Sequence, residues 1–432
     1  TGNGGKGRKL ILEDIREKVI LVGVDTGVAD DYDVCMQELK SLAEACNMQV
    51  VGILTQKMEA ANKALYIGTG KVEELRELAK MTDAELIVFE DSLTPSQLRN
   101  LKDECKLPVM DRTNLILDIF ASRAKTREAK LQVEVARLKY LLPRLVGLHD
   151  ALSRQGGASG SMSNKGAGEK KLELDRRKIE HRITELSKEL ETVSTERRTQ
   201  RKRRRNSGIP QVSLAGYTNA GKSTLLNKFV DTYGLPEEKK VLEKDMLFAT
   251  LETAVRKIDD GSRKPFYLAD TVGFINNLPH GLVKAFRSTL EEIKEADLIL
   301  QVIDFSDVNY KKHMEVTEET LKELDAGHIP VIYVYNKADL CMPEIPRCTD
   351  NRIYMSAQDE TCIRRLLTLV TDTLYAHRKE TEFLIPYDKG GIVSELRENA
   401  EVLSQDYVEN GVRLVVKCNE KEQSKFRMYI SE

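Results

Sequence analysis

Three patterns in the 432-residue chain predict an α/β protein in four parts behind a short flexible lead. Apolar runs alternate with amphipathic ones near the start and again in the second half, and each alternation implies a sheet of largely parallel strands with helices packed on it. Between them, apolar residues at 4-3-4-3 spacing flank a glycine- and serine-rich run, as in an antiparallel helical hairpin. The residues "GYTNAGKS" (216–223) fall where a strand gives way to a helix, the setting of a phosphate-binding loop. The predicted parts are a flexible segment (1–15), a small parallel α/β domain (16–123), the hairpin (124–206), a P-loop domain (207–378) and a small α+β domain (379–432).

Hydrophobic residues make up 41% of the chain and charged residues 31%, which suits a folded, soluble, highly charged protein. The net charge of −2 is uninformative because the charge is unevenly distributed. Seven cysteines without a C-x-x-C pair argue against a disulfide framework or a zinc ribbon, and six scattered histidines offer no paired ligands. No apolar run approaches the ~18 residues of a membrane span, and no secretory signal leads the chain. "TGNGGKG" reads as a flexible remnant or a truncated end. Cytoplasm and a monomeric state are the expectations.

In the first part, "KVILVGV" (18–24), "MQVVGIL" (48–54) and "AELIVFE" (84–90) read as buried strands. "VCMQELKSLAEAC" (34–46), "KVEELRELAK" (71–80) and "TPSQLRNLKDEC" (94–105) read as helices, the last opened by an N-capping threonine before proline. "GTGK" (68–71) lacks the second half of a phosphate loop and is expected to be a glycine turn.

In the hairpin, Leu131, Val135, Leu138, Leu142 and Leu145 mark one helix, and Leu172, Ile179, Ile183, Leu186, Leu190 and Val193 the other. "RQGGASGSMSNKGAG" (154–168) is predicted to be a flexible, mobile tip. The second helix ends in "RRTQRKRRR" (197–205), seven basic residues in nine. Arg197, Arg198, Arg201, Lys202, Arg203, Arg204 and Arg205 are therefore candidate polyanion contacts.

The third part offers strands at "PQVSLAG" (210–216), "PFYLAD" (265–270), "DLILQVID" (297–304), "PVIYVYN" (330–336) and "RIYMSA" (352–357). The last part offers "EFLIPY", a helix "GIVSELRENA", and a hairpin-like pair, "GVRLVVKCN" and "KFRMYIS".

The chemistry lies on the strand ends of the third part. Glycines 216 and 221 free the backbone N–H groups of Tyr217, Thr218, Asn219 and Ala220 to wrap phosphates, and the helix that follows adds its dipole. Lys222 reaches the β- and γ-phosphates, Ser223 ligates magnesium, and Thr224 completes the first turn. Asp270, at the end of an apolar strand, is the magnesium-associated carboxylate, and Gly273 can offer its N–H to the γ-phosphate. In "NKAD", Asp339 can accept two hydrogen bonds from the guanine N1–H and 2-amino group, which adenine lacks. Asn336 braces the loop, Lys337 packs on the base, and Ser356-Ala357 places an N–H near guanine O6. "FATLET" supplies Thr250 or Thr253 for magnesium and γ-phosphate sensing, with Thr250 preferred. Lys222, Thr250 and Gly273 are the expected catalytic groups of a guanine-nucleotide hydrolase with a P-loop GTPase domain. The position after Gly273, often a water-orienting glutamine in such enzymes, is Phe274.

"GYTNAGKSTLLN", "LFATLET", "LADTVGFINNLPH", "NKAD" and "RQGG…GAGEKKLELDRR" together resemble the HflX family of ribosome-associated GTPases over nearly the whole chain. Ala167 departs from the family's usual G-P-G-E run. The resemblance implies a GTPase that binds the large ribosomal subunit and its RNA and splits or rescues stalled ribosomes, with slow intrinsic hydrolysis quickened by the ribosome. It fits the basic helix end, since contact with RNA releases counterions. In a subset of GTPases with an apolar residue at the Phe274 position, an asparagine placed like Asn219 helps hold potassium, so Mg2+ and K+ are the candidate cofactors. The alternative is a signalling switch whose hairpin binds a protein partner.

Overall fold

The computed structural model describes residues 16–27, 32–155, 162–234, 247–248, 251, 253–261, 264–276, 287–376, 379–418 and 420–431. Two compact units comprise Thr1–Ser122 with Val133–Glu185, and Arg123–Gln132 with Leu186–Glu432.

The first unit holds a four-stranded parallel sheet of β1 (Lys18–Asp25), β2 (Gln49–Lys57), β3 (Leu86–Phe89) and β4 (Val109–Asp111), in the order β2-β1-β3-β4. Residues Val19 to Val22 of β1 are fully buried, as a central parallel strand covered on both faces requires. Helices α1 (Tyr32–Ala45), α2 (Thr69–Thr82), α3 (Pro95–Cys105) and α4 (Arg112–Arg123) alternate with the strands. Thr94 caps α3 in a reciprocal capping box with Gln97, and Pro95 fills the first helical position. The "GTGK" segment opens α2: Gly68 is its N-cap and donates its N–H to Gln56 Oε1 at 2.9 Å. Beyond the expected elements lie β4, too short for an apolar run, and α4, whose first residue is buried against Glu38 and Glu90 through its guanidinium. Burial pushes the Glu90 carboxyl up to about 7 against the pull of Arg112. Asp111, fully buried, accepts from the N–H groups of Leu93 (3.0 Å) and Asn114 (2.9 Å), Tyr140 OH (2.7 Å) and Arg144 (2.9 Å).

Two long helices form the predicted hairpin, α5 (Arg127–Gln155) and α6 (Met162–Asn206). The expected flexible run over 154–168 is corrected in part: Met162–Gly168 is helical, and 156–161 lie outside the described residues. The glycines at 166 and 168 cost about 1 kcal/mol each relative to alanine, which a helix of 45 residues absorbs.

The second unit is built on a seven-stranded sheet in the order β10-β11-β9-β8-β5-β7-β6. Its strands are β5 (Gln211–Ala215), β6 (Ala254–Ile258), β7 (Phe266–Asp270), β8 (Leu298–Asp304), β9 (Val331–Asn336), β10 (Arg347–Thr349) and β11 (Arg352–Tyr354). The five expected strands pair in parallel, while β6 and β10 are antiparallel edges. Described helices of this domain are α7 (Lys222–Tyr233), α8 (Arg287–Lys294), α9 (Tyr310–Glu323) and α10 (Glu360–Tyr375). A three-stranded antiparallel sheet ends the chain: β12 (Lys379–Ile385), β13 (Glu401–Val408) and β14 (Gly411–Cys418), with helix α11 (Gly390–Asn399). Here "GVRLVVKC" pairs with "EVLSQDYV", not with "KFRMYIS" as expected. The latter forms the end of a short helix, α12 (Glu420–Lys425), and a single turn at Arg427–Tyr429. Phe426 is buried in the core of this sheet, Tyr429 and Ile430 pack against it, and Met428 is exposed, so the segment anchors through a turn rather than by strand alternation.

Candidate nucleotide site

Strand β5 lies between β7 and β8, both parallel to it, so the loop leaving its C-terminal end opens where the sheet's connections diverge to opposite sides. Gly216 sits at φ +148, and a Cβ there would lie 2.2 Å from the Val302 carbonyl oxygen, so only glycine can make this turn. Asn219 is in the left-handed region at φ +61, and Gly221 at φ +95 is the N-cap of α7. Together they curl the loop's N–H groups around the start of the helix, an anion cradle.

Lys222 is buried, and its Nζ donates to the carbonyls of Gly216 (2.9 Å) and Tyr217 (2.6 Å). Burial pushes its ammonium down to about 8, with Asp270 opposing the shift. A phosphate brought against it favours the charged form again. Thr224, half-buried, follows in the same helical turn.

Asp270 ends β7 fully buried, and its Oδ2 accepts from Ser223 Oγ at 2.8 Å. A hydroxyl and a carboxylate side by side beneath a phosphate cradle are hard oxygen donors that fit Mg2+. Among the described residues, no group of three or more His, Cys, Asp or Glu is placed to hold a metal ion by itself. Thr250 lies outside the described residues. Phe248, two residues earlier, is buried at φ +54, and Thr253 is half-buried.

Gly273 is pressed against the loop: a Cβ would lie 2.8 Å from Thr218 Cα and 3.0 Å from Lys222 Nζ. Any side chain there would intrude on Lys222. The next residue is locked by backbone pairing, with Phe274 N–H donating to Gly216 O (3.1 Å) and Thr218 N–H to Phe274 O (2.8 Å). The Phe274 ring, 3% exposed, belongs to an apolar cluster with Ala215, Ile293, Ile299, Leu321, Leu324, Ala326 and Ile329. Its side chain is part of the core.

On the base side, Asn336 Nδ2 donates to Ala220 O (2.9 Å) and its Oδ1 accepts from Ala357 N–H (2.8 Å). One amide thus ties the phosphate loop to the segment after β11, where Ser356 and Ala357 are buried. Asp339 is exposed on the turn Ala338–Leu340. Lys337 Nζ pairs with Asp304 Oδ2 at 2.6 Å, a partner the sequence reading did not find. An acid closing the strand "DLILQVID", beside the strand that ends just before Lys337, was the available signal.

The basic end of α6 is partly paired within the chain. Arg197 pairs with Glu128 (2.7 Å), Arg201 with Glu291 (2.6 Å), Arg204 with Glu292 (2.8 Å) and Arg205 with Glu295 (3.5 Å). Arg198, Lys202 and Arg203 are exposed, and so is Arg205 despite its pair. Four of the seven candidate polyanion contacts are thus held by the chain's own acids.

The sheet order, the phosphate cradle with its buried lysine, and the base-side loops braced by one asparagine define a P-loop GTPase. The chain matches three family models: GTP-binding GTPase N-terminal over residues 33–121, GTP-binding GTPase middle region over 123–204, and 50S ribosome-binding GTPase over 211–337. It is 44% identical to GTPase HflX of Caldanaerobacter subterraneus subsp. tengcongensis over 94% of this chain and 92% of that one. It is 42% identical to GTPase HflX of Alkalihalophilus pseudofirmus over 98% and 99%, and 38% identical to that of Escherichia coli K12 over 92% of each. A solved structure, a GTP-binding protein from the archaeon Sulfolobus solfataricus in complex with GDP, aligns over 82% of this chain and 99% of its own, at 23% identity and a TM-score of 0.45. The chain belongs to the HflX family of GTPases and is a GTP hydrolase. Among the described residues, no helix is long and apolar enough to cross a membrane.

Proposed function

We propose that this GTPase binds the large ribosomal subunit through its RNA and uses a GTP-dependent switch to split or rescue stalled ribosomes in the cytoplasm, with hydrolysis stimulated by the ribosome. The observation that carries this reading is the divided basic end of α6. Arg197, Arg201, Arg204 and Arg205 pair with acids of the same chain, while Arg198, Lys202 and Arg203 are exposed. Exposed, closely spaced cations on a rigid helix suit a phosphate backbone, and the match to a family described as 50S ribosome-binding supports the choice of polyanion.

The test is co-sedimentation with large subunits across a salt series. Changing Arg198, Lys202 and Arg203 to glutamine should weaken binding and lower the salt exponent by about 2–3, since each phosphate contact carries roughly 0.7–0.9. GTP affinity should be unchanged. Changing Arg201, Arg204 and Arg205 should instead lower thermal stability, because Glu292 is left buried without its partner. Parental binding by the first variant, or binding insensitive to salt, would remove the ribosomal reading in favour of a protein-binding switch.

Magnesium would be held by Ser223 and Asp270, with Thr250 completing the set when nucleotide binds. Potassium is proposed as a second cation beside the β–γ bridge, because Asn219 occupies the left-handed bend of the loop and Phe274 supplies no polar group. GTP hydrolysis should then run faster in potassium chloride than in sodium chloride. Equal rates at matched ionic strength would leave magnesium as the sole metal.

A further inference from the structure

Besides the buried Phe274 ring and its backbone pairing, the segment after Gly273 has a further anchor in Tyr217. Its backbone carbonyl accepts from Lys222 Nζ at 2.6 Å, and its phenol oxygen accepts from the Asn276 N–H at 2.8 Å. Between those two contacts, Tyr217 and Phe274 form a parallel β-bridge. One residue of the phosphate loop therefore grips both Lys222 and the segment after β7 that carries Gly273. The ring itself is held in place. It is buried and stacks on the imidazole of His313 from α9, with centroids 3.9 Å apart and planes 12° from parallel. His313 Nδ1 lies 3.7 Å from Asp307 Oδ2 in the loop that opens α9.

We propose that Tyr217 and His313 are positioning residues for GTP hydrolysis. The stack fixes the phenol, the phenol fixes the Asn276 backbone, and the Gly273 N–H is thereby held against the γ-phosphate. Neither side chain touches the reacting atoms. Their contribution is to keep a backbone donor in place where charge develops in the transition state. Such an arrangement does by packing what a water-orienting side chain at position 274 would otherwise assist. A displacement of about 1 Å in a catalytic constellation costs up to ~100-fold in rate.

The test is intrinsic GTP hydrolysis by the purified full-length chain, with no partner added. Tyr217→Phe removes one oxygen, keeps the stack, and should lower kcat about 10-fold or more, with KM and the affinity for a fluorescent GTP analogue within twofold of the parent. His313→Ala should lower kcat in the same way, and His313→Phe, which keeps an aromatic face, should recover most of the rate. Thermal melts of all three variants separate this from a loss of folded protein. A parental kcat in Tyr217→Phe overturns the proposal. So does equal loss in His313→Phe and His313→Ala, or a fall in rate that only tracks the folded fraction.

Discussion

Asp339→Asn is expected to weaken GTP binding by roughly 10²–10⁴-fold, the loss of two hydrogen bonds to a charged acceptor at ~1.5–3 kcal/mol each. The variant should gain affinity for xanthine nucleotides, whose C2 oxygen can accept from the new amide. The geometry favours a clean result. Asp339 is exposed on its turn, and the turn is held independently, by Ala338 N–H on Met355 O (3.0 Å) and by the Asn336 brace. An exposed substitution of this kind shifts stability by no more than about 0.5 kcal/mol, so an altered nucleotide preference can be read as recognition alone. Unchanged GTP affinity, measured by titration calorimetry, would take guanine selection away from this residue.

The large ribosomal subunit should raise GTP turnover by roughly 10³–10⁵-fold, the scale on which catalytic parts completed in trans accelerate such enzymes. Phe274→Ala distinguishes the source of that gain. Because the ring is packed among Ile293, Ile299 and Leu321, its removal should cost about 3–5 kcal/mol of stability. Below the lowered melting temperature, the backbone bridge to Gly216 and Thr218 persists, and stimulation should persist with it. Lys222→Ala should lose it. Stimulation abolished in a folded, ribosome-bound Phe274→Ala protein would assign the ring a direct role.

The parts of the fold that were legible in sequence are those in which burial is continuous. The runs "KVILVGV" and "DLILQVID" declare central parallel strands because both their faces are covered. "AVRKI" and "RCT" do not, since edge strands keep one side open and mix charge with apolar residues. The glycines near Gly168 suggested a loop because local propensity was weighed without the long helix that continues beyond them. For the site, the phosphate loop, Asp270 and "NKAD" are local signatures. The partners of the basic run were invisible because Arg201 and Glu291 are 90 residues apart. The His313 ring on Tyr217 likewise leaves no periodic trace, as a single tertiary contact never does.

The central position of β5 has a consequence for how the protein is made. As the chain emerges from N to C terminus, β5 is the first strand of its sheet to appear, yet both of its neighbours come later: Gln211 waits for Tyr267, and Val212 for Leu298. The entropy of closing those loops must be met before either edge of β5 is covered. The candidate base-side residues arrive later still, Asn336 closing β9 and Asp339 just beyond it. A nascent chain cut short before that point carries the whole "GYTNAGKS" segment without the carboxylate proposed to select the base, and with β8, an apolar strand, open on one side to other unfinished chains.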